Sequence, residues 1–280
     1  MTATFTRISD REATWESLVA PERDRYGRPL INGTAYTRAS TLAKTLSDNY
    51  ALGAWKAKIV ARAVATNKDL AAAAATTNPD NKAEWVELID RALTVGGAGS
   101  SATIGTAIHA TTELLDGGLP TDGIPDEVLA AGVAYQEALA AANLRPVVSE
   151  AFVVNEVLGA AGSFDRLVEH TPTGSTAILD IKTSSRPDTP KFASMEWAIQ
   201  CATYAGGQPA CGQRGILSWE SLGTTKPSQS TAVVCHIDLS GDAPRARLYT
   251  VDLVAGRDLA ATAVEVRTAR KVQKNLLGEL

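Results

Sequence analysis

At 280 residues, with 45% hydrophobic and 21% charged residues, the chain has the composition of a globular protein able to bury a sizeable core, which excludes an intrinsically disordered polypeptide. Its 27 basic and 31 acidic residues give a net charge of −4, so there is no chain-wide cationic surface, and any phosphate-binding face has to be local. No apolar run reaches the about 18 residues of a membrane span, and the opening MTATFTRISDREATW is too polar for a secretory signal; the expectation is a cytoplasmic protein without membrane association.

In chain order, residues 36–67 carry Leu42, Leu46, Leu52, Trp55, Ile59 and Val60 near helical spacing behind a Thr/Ser cap candidate, and read as helices with these residues packing inward. A second helix follows over 78–93, with Trp85, Leu88, Ile89 and Leu93 on one stripe. TVGGAGSS, 94–101, reads as a flexible loop in which Gly96, Gly97 and Gly99 permit movement. The helix after it places His109 and Glu113 four residues apart, on one face. A loop over 116–125 leads to a further helix from Asp126 to Asn143.

From residue 146 the period changes. PVVSEAFVVNE, AGSFDRLVEH and STAILDIKTS are short segments rich in β-branched and aromatic residues between turn signals, and read as successive strands. In the last, Ile178, Asp180 and Lys182 share one face and Leu179 and Ile181 the other. Residues 192–207 return to helical period, with Gln200 and Tyr204 one turn apart. RGILSW, TAVVCHIDL and RARLYTVDL read as strands, and a long amphipathic helix closes the chain from Gly256 to Asn275. This is an α/β (α+β) pattern. The expected division is an N-terminal helical region, 1–100, packed on a core of 101–280.

Asp165 and Asp180 stand where apolar residues would pack a sheet more cheaply, because an unpaired buried charge costs far more than a strand contact returns. A hard divalent cation, Mg²⁺ or Mn²⁺, held by two Asp oxygens, an imidazole and a backbone carbonyl would neutralise them. A lysine two residues after the second Asp, on the same face, can then steady developing phosphate charge. The bare spacing, fourteen residues between the acids and one between Asp180 and Lys182, is equally that of a structural salt bridge. Basic residues concentrate at 56–68, 182–191 and 267–274, as solvated faces or as local phosphate contacts. His170 and His236 lack a partner at metal-ligand spacing and read as surface or packing residues; Trp55, Trp85, Trp197 and Tyr135 read as core residues in preference to base-stacking platforms. No GxxxxGK[ST] phosphate loop is present, which argues against a built-in ATP motor.

GSFD followed by LDIKTS resembles the GxxD and (D/E)xK motifs of the PD-(D/E)XK nuclease superfamily. GTAIH resembles its GxxxH helix, SEAFV the strand that carries an acidic residue ahead of the Asp, and QCATY its QxxxY helix, in the same order. Together they are similar to the RecB-type nuclease domains and the stand-alone Cas4-like and phage exonucleases, over roughly residues 36–255. The resemblance implies a restriction-endonuclease-like central mixed sheet flanked by helices. It implies His109, Asp165, Asp180 and the Ile181 carbonyl as metal ligands, Lys182 as the catalytic lysine, and Glu150 on a metal-bound water or a second cation. Gln200, Tyr204, Thr183 and Ser184 would lie along DNA, with Glu113 near His109. Relatives that hold an iron–sulfur cluster use four cysteines; here there are three, Cys201, Cys211 and Cys235, so no Fe–S cluster is expected and the thiols read as reduced core residues.

The implied function is a Mg²⁺- or Mn²⁺-dependent exonuclease acting on DNA ends in phage or bacterial recombination or repair, in the host cytoplasm if a phage encodes it. A separate helicase or recombinase would be its partner. An endonuclease or junction resolvase, or a non-cleaving DNA- or partner-binding module on the same fold, are the alternatives.

Overall fold

The computed structural model describes residues 21–97, 100–212 and 215–272. Over them the chain is α+β, with helices and two mixed five-stranded sheets. It divides into two compact units, one of the residues up to Ser47 together with His109 onward, the other of Asp48–Ile108. The division therefore lies elsewhere than the sequence expectation of 1–100 and 101–280, because residues 21–47 share strands and core with the C-terminal part.

In the larger unit, the described chain opens with a two-stranded antiparallel ribbon, β1 (Leu30–Ile31) and β2 (Thr34–Ala35). Asn32 and Gly33 turn it, both at positive φ, a conformation that Asn and Gly adopt at least cost. Strand β3 (Thr37–Arg38) and a short helix α1 (Ala39–Ala43) follow, so the helix expected from residue 36 begins three residues later.

The smaller unit holds α2 (Tyr50–Thr66), α3 (Lys68–Thr76), α4 (Lys82–Val95) and the first half of α5 (Ser100–Asp116). Asn67 caps α3 by accepting from the Asp69 and Leu70 amides, and Asn81 caps α4 by accepting from Glu84 N, each satisfying orphan N–H groups of a first turn. The Ala-rich α3 was not expected from sequence. It is anchored by Leu70, which is buried with Ala63, Leu88 and Ala92 against Val60, Val64 and Trp85. Leu52, Trp55 and Ile89, read as inward-facing, are 48%, 46% and 41% exposed. Three helices enclose a core too narrow to cover every apolar residue on their stripes. Gly97 has φ +85; Gly99 of the expected loop lies outside the described residues.

From His109 on, the chain completes α5, forms α6 (Asp126–Ala141) and enters the sheets. The strands are β4 (Leu144–Ser149), β5 (Phe152–Asn155), β6 (Ala160–Ser163), β7 (Arg166–His170), β8 (Ser175–Ser184), β9 (Gln208–Cys211), β10 (Gly215–Ile216), β11 (Thr231–Asp238) and β12 (Arg245–Asp252). Helix α7 (Thr189–Ala205) follows β8, and α8 (Leu253–Val272) ends the described chain. One sheet has the order β12-β11-β8-β7-β4 and the other β10-β9-β5-β6-β3. Both are mixed: β8 and β11 pair parallel, as do β3 and β6, and the other pairs are antiparallel.

Two segments read as single strands are each two strands in different sheets. The chain passes from β4 to β5 at Glu150–Ala151 and from β6 to β7 at Phe164–Asp165. The crossings are tied together: Glu150 N donates to Asp165 O at 3.0 Å and Phe164 N to Ala151 O at 3.1 Å. Gly162 sits just before the second crossing, where an added Cβ would lie 3.2 Å from the Tyr204 ring and 3.3 Å from Ala39 Cβ. The glycine of GSFD thus serves close packing.

β8 is the middle strand of its sheet. Ile178 pairs with Leu167 of β7 and is buried with it, with Val234 of β11 and with Trp197 and Cys201 of α7. Asp180, which pairs with Val234, and Lys182, which pairs with His236, share that α7-facing side by strand alternation. Arg166 alternates with Leu167 and takes the opposite side, toward α5 and α6. All three cysteines are buried and unbridged, as expected. No helix among the described residues is long and apolar enough to cross a membrane.

Candidate active site

Three separate pieces of the larger unit deliver the charged residues to one place. From α5 come His109 and, one turn on, Glu113. The paired crossings bring Glu150 and Asp165. Strand β8 supplies Asp180 and Lys182 on its α7 side.

Asp165 is held at both oxygens. Oδ2 accepts from the Ile181 amide at 2.6 Å, and Oδ1 lies 3.6 Å from His109 Nδ1, an ion-pair contact longer than a hydrogen bond. Burial opposes ionisation of Asp165, but His109, Lys182 and the Ile181 amide outweigh it and hold the carboxyl below its ordinary value. His109 is the reciprocal case: burial disfavours its charge, yet Asp165 and Asp180 lift it above the usual imidazole value.

Asp180 is the floor of the site, its side chain 3% exposed. Its Oδ2 stands 2.5 Å from Lys182 Nζ, an ion pair without hydrogen-bond geometry. Burial is the largest influence on Asp180; Lys182 opposes it, Asp165 adds to it, and the carboxyl is pushed up to about 6. Lys182 Nζ also donates to Gln200 Oε1 at 3.2 Å, and Gln200 Nε2 to the Tyr204 hydroxyl at 2.8 Å. Tyr204 is 4% exposed, its ring edge-on to Phe164 at 6.5 Å. Its ring is therefore core, and Tyr204 reaches the site through Gln200.

Glu150 has φ +49, a left-handed conformation that costs a residue with a Cβ of order 1 kcal/mol. Its carboxylate lies by Glu113. Burial first, then the Glu150 charge and a hydrogen bond between the two, push Glu113 up to about 7. Thr183 is half-buried. Ser184 Oγ is 2.8 Å from His236 Nε2 and donates to Arg186 O at 2.9 Å, so its hydroxyl is engaged by the protein. His236 is buried between the Trp197 and Tyr249 rings, and His170 pairs with Thr173 beside a turn, both as read from sequence.

Sequence reasoning missed a buried clamp. Arg166, 1% exposed, donates Nε to Asp116 Oδ2 at 2.6 Å, Nη2 to Thr112 Oγ1 at 3.0 Å and Nη1 to the Asp165 carbonyl at 2.7 Å. The Tyr135 hydroxyl donates to the same Asp116 oxygen at 3.0 Å, and Thr112 Oγ1 donates to His109 O at 2.7 Å. One guanidinium therefore fixes the helix that carries His109 against the crossing that carries Asp165. The signal was an arginine opening the apolar strand RLVEH, with Thr112 and Asp116 three and seven residues beyond His109 on one helix face.

With Arg166 matched to Asp116, four carboxyl groups face one lysine and one imidazole, and two of the four are held toward their neutral forms. The donor set, two aspartates and a histidine with carbonyl oxygens nearby, has the hardness and charge for Mg²⁺ or Mn²⁺. Among the described residues, no three His, Cys, Asp or Glu side chains are gathered closely enough to enclose an ion as they stand; Lys182 occupies the inner oxygen of Asp180. The residue types suit such an ion in chemistry and charge, and to hold one Asp180 would have to give up its pairing with Lys182. No protein-family model matches the chain, and no curated protein matches it.

Proposed function

We propose that this chain is a Mg²⁺- or Mn²⁺-dependent deoxyribonuclease of the PD-(D/E)XK type, acting as an exonuclease on DNA ends. The observation that carries the reading is the convergence of His109, Asp165, Asp180 and Lys182, from one helix, one inter-sheet crossing and one central strand, around a carboxyl buried enough to be pushed up to about 6. A salt bridge kept for stability alone needs one partner for each acid; this cluster carries an excess of carboxylates that a cation would relieve. His109, Asp165, Asp180 and the Ile181 carbonyl would hold the ion, which when bound supplies an acidified water and draws charge from a phosphodiester.

The protein's own groups do the rest. Lys182, steadied by Gln200, places an ammonium where charge develops on the phosphate, and Tyr204 fixes Gln200 from the core. Arg166 sets the spacing of His109 from Asp165. Asp180, pushed up to about 6 chiefly by burial, would hold a cation only in its ionised form, so activity should rise with pH through about 6.

The test is digestion of end-labelled linear DNA and covalently closed circular duplex, with Mn²⁺ and with EDTA. The reading requires loss of linear DNA with Mn²⁺, survival of the closed circle, and no reaction in EDTA. Cleavage in EDTA contradicts the metal site; rapid nicking of the circle replaces exonuclease by endonuclease.

A further inference from the structure

Helix α2 leaves an unusual surface uncovered. Residues 50–58 are all exposed, and Ala63 is the buried residue of this helix. Tyr50 is 83% and Trp55 46% exposed, although an aromatic side chain is among the most rewarding to bury. At about 100° per residue, Trp55, Lys58 and Arg62, at i, i+3 and i+7, fall within about 60° of one another. They lie away from Val60, Ala63 and Val64, which face the core formed with Leu70 and Leu88. Ala51 falls within that stripe, Ala54 and Ala65 border it beside Lys58, and Thr66 and Ile59 border it beside Trp55, so the indole and the two cations are its large exposed groups.

The charge is one-sided. Helix α2 contains Lys56, Lys58 and Arg62 and no acidic residue, in a chain of net charge −4. Among the described residues, none of the three cations takes part in an ion pair. The acids of this unit lie outside α2: Asp48 just before it, accepting from Tyr50 N, Asp69 on α3, Asp80 in the α3–α4 connection, and Glu84, Glu87 and Asp90 on α4. A polyanion therefore complements α2. A membrane surface is disfavoured because the exposed Tyr50, Leu52 and Trp55 are spread around the helix instead of forming one apolar face. A duplex hides its base faces, whereas an indole beside two cations suits an unstacked base with phosphates next to it.

We propose that the Trp55–Lys58–Arg62 stripe is a landing surface for a single strand of nucleic acid, the indole stacking on a base while the two cations meet neighbouring phosphates. The choice of DNA as that strand rests on the nuclease reading; the surface itself does not.

The experiment is fluorescence anisotropy of a labelled oligothymidylate titrated with the full chain in EDTA, where the proposed cleavage is silent, over a range of salt. Trp55→Ala should weaken binding by roughly tenfold, the low end of a lost base stack, and Trp55→Phe should restore most of it. Lys58→Ala with Arg62→Ala should weaken binding and flatten the slope of log K against log salt by about 1.4, two phosphates at about 0.7 each. Lys58 and Arg62 are exposed, so their double variant should melt as the wild type does; Trp55 is 46% exposed, and Trp55→Phe, which keeps a ring in its place, controls for the packing that Trp55→Ala removes. Wild-type affinity in all the variants overturns the proposal, as does tighter binding of duplex than of single strand, or binding of anionic phosphatidylserine vesicles in place of the oligonucleotide. A protein that binds through Trp55 yet leaves DNA uncut with Mn²⁺ removes the nuclease reading and keeps this surface; one that cuts, with every α2 variant binding normally, does the reverse.

Discussion

Asp180 and Glu113 are the residues on which burial and function pull in opposite directions. Glu113 is pushed up to about 7 in the folded protein against 4.5 ordinarily, so the folded state holds its proton more tightly than the unfolded chain. The stability this lends is complete below about pH 4.5 and is lost as pH rises through about 7. Calorimetry without divalent ions should therefore find Glu113→Gln melting higher than wild type at pH 8 and equal to it at pH 4, and Mn²⁺ should narrow the gap at pH 8. A variant that melts lower at pH 8 would show Glu113 to be a net stabiliser already matched by a positive charge. Tyr204 offers a second test at this scale. Tyr204→Phe loses one hydrogen bond to Gln200, about 1 kcal/mol, while Tyr204→Ala empties a core position and should cost about 3–5 kcal/mol in urea unfolding. Equal, small costs for both would return the ring to the surface.

At the scale of elements, the site depends on α5 being fixed against the start of β7, and Arg166 is what fixes it. Arg166→Ala strands Asp116 in a buried place and should destabilise by about 3–5 kcal/mol in urea. Arg166→Met combined with Asp116→Leu should recover more than half of that loss; a double variant no better than the single would mean that the ion pair is not the cause. The elements also show what a sequence discloses. β8, α6 and α7 were legible because apolar period and length agree, and the shared face of Asp180 and Lys182 followed from strand alternation alone. The breaks at Glu150 and Asp165 were not, because alternation runs on unbroken when a chain leaves one sheet for another, and only the pairing partners change. Trp55 misled for the opposite reason: helical spacing says which residues share a stripe, but the neighbouring helices decide whether that stripe is covered. Arg166 was missed because its side-chain partners, Thr112 and Asp116, lie on one helix about fifty residues earlier in the sequence.

On the scale of the whole molecule, a chain of net charge −4 gathers a cluster of buried acids in one unit and an exposed cationic, aromatic helix face in the other. On the proposed reading the first would take a cation and the second a polyanion, the two components of metal-dependent nucleic-acid hydrolysis. The convergence of His109, Asp165, Asp180 and Lys182 was anticipated as an ordered set of motifs; their distances, and the exchange of partners that a bound cation would demand of Asp180, needed the fold. That exchange separates the roles of the two β8 residues: Asp180→Asn should lose Mn²⁺ binding, whereas Lys182→Ala should keep it or tighten it, because the lysine no longer competes for the Asp180 oxygen. The most direct test is the rate of nucleotide release from end-labelled linear DNA with Mn²⁺ by the wild type and by Lys182→Ala, with Mn²⁺ binding measured on the same samples by calorimetry. The account predicts release by the wild type and a loss of about 10²-fold or more in Lys182→Ala with metal binding retained; equal rates in the two proteins, or no release by a wild type that binds Mn²⁺, would contradict it.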